Sequence, residues 1–95
     1  DEILFNQAIK FYSDRQYDQA KEIIDKLIQR NIANYLIYSY AGWIYIIGQI
    51  NRSLGIAYLQ KGVDLAPADK IYDALHFQGI GFYYAGMYQQ ARTAF

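Results

Sequence analysis

The 95 residues contain no cysteine and only one proline, one histidine and one tryptophan. Without cysteine there is no disulfide, no zinc–thiolate site and no thiol nucleophile. One histidine, His76, cannot supply the imidazole ligands of a zinc centre, and no carboxylate stands near it in the spacing such a centre requires. Asp73, three residues earlier, is placed to hydrogen-bond it, which makes His76 a polar surface residue rather than a ligand. Charge of one sign is missing too: nine basic and nine acidic residues cancel. That removes the electrostatic case for nucleic acid, whose binding rests on clustered Lys and Arg. Serines 13, 39 and 53 lack a Gly-x-Ser-x-Gly setting and no phosphate-binding glycine loop occurs, so the expectation is a protein that is not an enzyme and needs no cofactor or metal. The opening Asp1-Glu2 is no signal peptide. Lacking an initiator Met and stopping at Phe95 within a helical pattern, the chain reads as a piece of a longer protein, with a cytoplasmic location as the expectation.

Ile32 to Ile50 contains no charged residue and no histidine. A membrane span needs about 20 predominantly apolar residues. Here Asn34, Ser39, Gln49 and four tyrosines interrupt the run, and its flanks show no strong basic asymmetry. The expectation is therefore a buried helix and no membrane span.

Apolar residues recur at helical spacing along the whole chain, and nothing reads as strand. Ile3, Leu4, Ala8, Phe11 and Tyr12 mark a first helix; Tyr17, Ala20, Ile24, Leu27 and Ile28 mark a second. The polar turn Ser13-Asp14-Arg15-Gln16 joins them. A third helix over 33–48 ends near Gly48; a fourth starts at Asn51-Arg52-Ser53 and stops before Pro67. A fifth starts at Asp69, a turn falls at Gly86, and a sixth helix begins near Tyr88. The fold class is all-α, about six helices in antiparallel pairs, forming one domain over 1–95.

The pairs repeat. Residues 7–23 match 78–94, with Gln7/Gln78, Phe11/Phe82, Tyr12/Tyr83, Tyr17/Tyr88 and Ala20/Ala91 all at one offset, 91 − 20 = 71. That is about two 34-residue periods with three residues extra, so repeats of about 1–33, 34–68 and 69–95 are expected, with an insertion in the middle one. Ala8, Gly42 or Ala41, and Gly79 suit the first-helix crossings; Ala20, Gly55 and Ala91 suit the second-helix crossings. On these residues and Pro67 the chain resembles the tetratricopeptide repeat (TPR) family, which implies a right-handed superhelix with a concave face lined by the first helix of each pair.

The resemblance implies a groove built from Glu2, Phe5, Ile9 and Tyr12, then Tyr35, Tyr38, Gly42 and Tyr45, then Asp73, His76, Ile80, Tyr83 and Tyr84. Tyr40, Trp43 and Phe82 fall on packing positions instead. A two-residue displacement near the insertion would exchange the faces of the middle repeat. Such a groove is aromatic and nearly uncharged, a composition suited to interface centres. The Lys/Asn clamp that some TPR grooves use for C-terminal carboxylates is absent, because Phe5 and Ile9 stand in its place. The partner implied is a protein or peptide segment, extended or helical, with apolar anchors. A narrower resemblance, to the type III secretion chaperones of translocator proteins, rests on Ile3-Leu4-Phe5-Asn6-Gln7 and His76. The alternative class is a structural assembly domain that forms homo-oligomers through open helix faces.

Overall fold

The structure is a computed structural model that describes residues 2–30 and 34–93, with side chains as far as Gly86. Five α-helices follow in order: α1 (Glu2–Ser13), α2 (Tyr17–Gln29), α3 (Tyr35–Ile47), α4 (Arg52–Leu65) and α5 (Ile71–Thr93). A single 3₁₀ turn, Ala68–Lys70, leads into α5. No strand occurs among the described residues.

The turns show why the chain folds into hairpins. After α1, the Gln16 N–H donates to the Phe11 carbonyl (2.8 Å) and the Arg15 N–H to the Tyr12 carbonyl (3.0 Å). After α3, the Ile50 N–H donates to the Tyr45 carbonyl (2.9 Å) and the Gln49 N–H to the Ile46 carbonyl (3.0 Å). Both are Schellman closures, which place the residue after the cap in the left-handed region. Arg15 (φ 63°) and Gln49 (φ 55°) occupy that position. Their separation is 49 − 15 = 34 residues, about half of the 71-residue sequence offset, so the first two hairpins turn one repeat apart. Asn34 and Asn51 cap α3 and α4 by accepting from the Leu36 and Leu54 N–H groups. Pro67 follows the end of α4, as expected, whereas Asp69 lies inside the 3₁₀ turn and α5 begins at Ile71.

The central element is α3. It packs on α2, α4 and α5 and touches α1. Ile37, Tyr38, Ser39, Ala41, Gly42, Ile44, Tyr45 and Ile46 are all buried, which accounts for the missing charge. At 13 residues, about 20 Å, α3 is too short for a bilayer. No described helix is long and apolar enough to cross a membrane. Its tightest contact is with α4. A Cβ added at Gly42 would lie 2.9 Å from the Gly55 carbonyl oxygen, and one at Gly55 would lie 2.9 Å from that of Gly42. The two backbones meet where the sequence places small residues. Ala8 and Ala20 are buried, as expected of crossing residues.

The expected turn at Gly86 and the sixth helix near Tyr88 do not form: α5 runs unbroken from Ile71 to Thr93. A lone glycine weakens a helix by about 1 kcal/mol without ending it. Gly86 keeps a negative φ here, and the stretch around it has no proline and no polar cap cluster like Ser13–Gln16. The helix count is therefore five among the described residues, not six.

Candidate functional site

The first helices of the repeats, α1, α3 and α5, lie side by side and join through aromatic rings. Phe5 meets Tyr40 edge-on at 5.6 Å between centroids, and Tyr12 lies 6.2 Å from both Tyr40 and Trp43. Phe77 of α5 continues the row at 5.1 Å from Tyr40 and 4.3 Å from Trp43. The offset and edge-on arrangements are those aromatic quadrupoles favour. The Trp43 indole N–H donates to the Phe77 carbonyl at 2.8 Å, which ties α3 to α5. All five side chains are half-buried: each has a packed side and a side facing water.

The row opens at one end into a shallow pocket of about 540 Å³ lined by Tyr12, Ser13, Arg15, Tyr17, Ile47 and Tyr84. Arg15 is the only charged residue of this lining among the described residues. Tyr12 and Tyr84, assigned to a common groove although 72 positions apart (84 − 12), do share it. Tyr83 meets Tyr84 edge-on at 5.7 Å but points outward and is 67% exposed.

The middle repeat departs from the sequence assignment. Tyr38 and Tyr45 are buried between α2 and α4, on the opposite side of α3 from the row. Tyr38 packs on Tyr58 at 5.8 Å, and Tyr45 packs on the same ring at 5.4 Å. The Tyr45 hydroxyl donates to Asp25 Oδ1 at 2.5 Å, a short charge-assisted bond. Lys21 pairs with the other oxygen of that carboxylate at 2.8 Å. Burial first, then the hydrogen bond to Asp25, pushes the Tyr45 phenol well above its ordinary pKa. Burial, and then the Asp25 charge, does the same to Tyr58. These rings are core and buttress, and Tyr40 and Trp43, assigned to packing, do pack between α3 and α5 and are also members of the row.

The groove assignment carried α1 onto α3 at 33 residues (38 − 5, 45 − 12), whereas the two turns are 34 apart, and one residue of helix turns a side chain by about 100°. The signal was present in the spacing. Gly42 sits at the α3–α4 crossing, and Tyr38 (i−4) and Tyr45 (i+3) must share its stripe. A position cannot serve the crossing and the groove together.

The remaining assigned residues divide. Phe5 and Tyr12 belong to the row. Ile9, Tyr35 and Ile80 are half-buried, with the Tyr35 carbonyl against Gly62 of α4. Glu2, Asp73 and His76 are exposed and lie in neither the row nor the pocket lining. Sequence reasoning missed Phe77, Tyr17 and Ile47 as site residues. Among the described residues, no group of His, Asp or Glu is arranged to hold a metal ion. Comparison with protein-family models, curated proteins and solved structures finds no match to this chain.

Proposed function

We propose that the chain is a non-enzymatic protein-interaction module of TPR type. Its α1/α3/α5 face binds a partner segment with apolar anchors, and one side chain of that segment enters the pocket between Tyr12 and Tyr84. The carrying observation is the half-buried row Phe5, Tyr12, Tyr40, Trp43, Phe77 leading into an open, nearly uncharged pocket. Large rings fixed by their neighbours lose little freedom on binding, and their polar tips keep the free surface hydrated. The pocket is open and shallow, which fits a side-chain anchor rather than an enclosed small molecule. The 34-residue separation of the two left-handed turn residues supports the TPR reading. A right-handed superhelix and a cytoplasmic setting belong to that same reading.

The test is selection from a random peptide library, with affinities compared for wild type, Tyr84→Glu and the control Tyr72→Glu. Tyr72 is 83% exposed and lies outside this face. Selected peptides carrying a recurring aromatic or aliphatic anchor, with binding lost in Tyr84→Glu and kept in Tyr72→Glu, support the proposal. Ligands indifferent to Tyr84 while the helical signal is intact refute it.

A further inference from the structure

A second face of the molecule is apolar and uncovered. Tyr72, Leu75, Gly79, Phe82 and Gly86 succeed one another on α5 at i, i+3, i+7, i+10 and i+14, a single helical stripe bordered by Tyr83. Tyr72 is 83% exposed, Tyr83 67%, Phe82 45% and Leu75 44%, while Ala74, Gly81 and Ala85 on the other side of α5 are buried. From Ala74 to Ala91 the helix carries no Asp, Glu, Lys or Arg. The water-facing side of a helix ordinarily carries charge, so this one has the composition of a covered face.

The stripe is complementary to itself. Tyr72 and Gly86 stand seven residues before and after Gly79, and Leu75 and Tyr83 stand four before and after. A two-fold axis through Gly79 relating two antiparallel copies of α5 therefore sets each Tyr72 against the other copy's Gly86, each Leu75 against Tyr83, and Gly79 against its own copy. A Cβ added at Gly79 or Gly86 would meet nothing within 4 Å, so both positions are open to a neighbour. Beside Gly86 lies an open groove of about 440 Å³ lined by Arg52, Ile56, Phe82, Ala85 and Gly86, where the other copy's Tyr72 ring would sit. Near such an axis any charge would face its own like, and the charge-free stretch meets that condition. A different partner would leave no reason for the stripe to match in both directions. Close approach through paired glycines is already used inside the chain, at Gly42 and Gly55.

We infer that the α5 stripe is a self-association surface whose occupant is a second copy of the chain, paired antiparallel about Gly79. Taking about 200 Å² for a fully covered ring, the four large side chains withdraw roughly 400–500 Å² per copy from water, or about 800–1,000 Å² in the pair. That is below the roughly 1,200–2,000 Å² of a standard stable interface, which makes the dimer weak and concentration-dependent. At low concentration the chain is a monomer, and Gly79 is then an ordinary exposed helix position. This face is separate from the aromatic row and the Tyr12–Tyr84 pocket, so the inference stands independently of the proposed function.

Sedimentation equilibrium from micromolar to millimolar concentration tests it, on wild type, Tyr72→Glu and Gly79→Leu. Both substituted positions are exposed, so the helical signal should be unchanged. Gly79→Leu adds apolar surface, and so separates the specific pair from general stickiness. The expected result is a monomer–dimer equilibrium with no larger species, weakened about tenfold or more in both variants. Because the chain has no cysteine, Gly79→Cys tests the axis: mild oxidation should link two copies there. Asp73→Cys should stay unlinked, because in the pair its two copies are about 18 Å apart along the helices, twice six residues at 1.5 Å each. A monomeric mass at every concentration overturns the inference and leaves the stripe to another protein. Association that is unchanged in Tyr72→Glu, strengthened in Gly79→Leu, or continued past two copies overturns it as well. So does linkage at Asp73→Cys without linkage at Gly79→Cys, which would contradict the pairing.

Discussion

At the α3–α4 crossing two backbones come into close contact, and Gly42→Ala measures it. A methyl group at Gly42 would stand 2.5 Å from Leu59 Cγ and 2.9 Å from the Gly55 carbonyl oxygen. Leu59 is 1% exposed and cannot swing aside, and the carbonyl is backbone, so the two helices must separate. Overpacking of this kind costs about 1–3 kcal/mol. Alanine recovers about 1 kcal/mol of helix propensity, which leaves a net loss of about 0–2 kcal/mol. Gly79→Ala is the matched control, helical as well but with nothing within 4 Å of the new Cβ. It keeps the propensity gain of about 1 kcal/mol unopposed. The two variants should therefore differ by about 1–3 kcal/mol, or at least about 4 °C in Tm for a domain of this size. Urea denaturation followed by circular dichroism gives both numbers. Equal stability of the two variants, or a stabilised Gly42→Ala, would refute the crossing geometry.

Ser39 is fully buried and its hydroxyl has no hydrogen-bond partner among the described residues. An unsatisfied buried polar group costs about 1–3 kcal/mol, so Ser39→Ala should raise stability by about 1 kcal/mol; a loss would show a partner for the hydroxyl. Trp43→Phe removes the indole N–H that bonds the Phe77 carbonyl, and should cost about 1 kcal/mol in the same assay. For pH, the folded state holds Tyr45 and Tyr58 above their ordinary pKa of 10.0. The unfolded phenols therefore lose their protons first, and the stability these groups contribute is complete below pH 10 and lost as pH rises toward the folded values. The urea midpoint should be level up to about pH 9 and fall above pH 10, less steeply in Tyr45→Phe. An identical fall in the variant would remove Tyr45 from the account.

The fold was legible where local physics decides it. Helical spacing, the Asn51 cap, Pro67 and the polar turn at Ser13–Gln16 place four of the five helices within two or three residues. The charge-free run reads correctly as the buried central helix because a helix packed on several neighbours has no wet face for charge. The site was half legible. Phe5, Tyr12 and Tyr84 came from repeat register alone, and they do lie on the row or its pocket. Tyr38 and Tyr45 were misplaced because the groove assignment ran one residue out of register with the two turns, and tyrosine reads equally well as core or as surface. For Tyr45 the hydroxyl partner, Asp25, also separates the two, and that contact spans 20 residues. Gly86 was misread for a different reason: its sequence permits both helix and turn, and neither caps nor proline decide between them.

The central claim is that the Phe5–Tyr12–Tyr40–Trp43–Phe77 face is where a partner binds. Trp43, the chain's single tryptophan, sits inside that row and serves as its own probe. The most direct measurement is titration of a library-selected peptide against Trp43 fluorescence, in wild type and in Tyr84→Glu. The account predicts a saturable shift or quenching of Trp43 emission in wild type, at the concentration where binding is seen by calorimetry, and its loss in Tyr84→Glu. Binding by calorimetry with Trp43 emission unchanged, and with equal affinity in Tyr84→Glu, would place the interaction elsewhere and contradict the account.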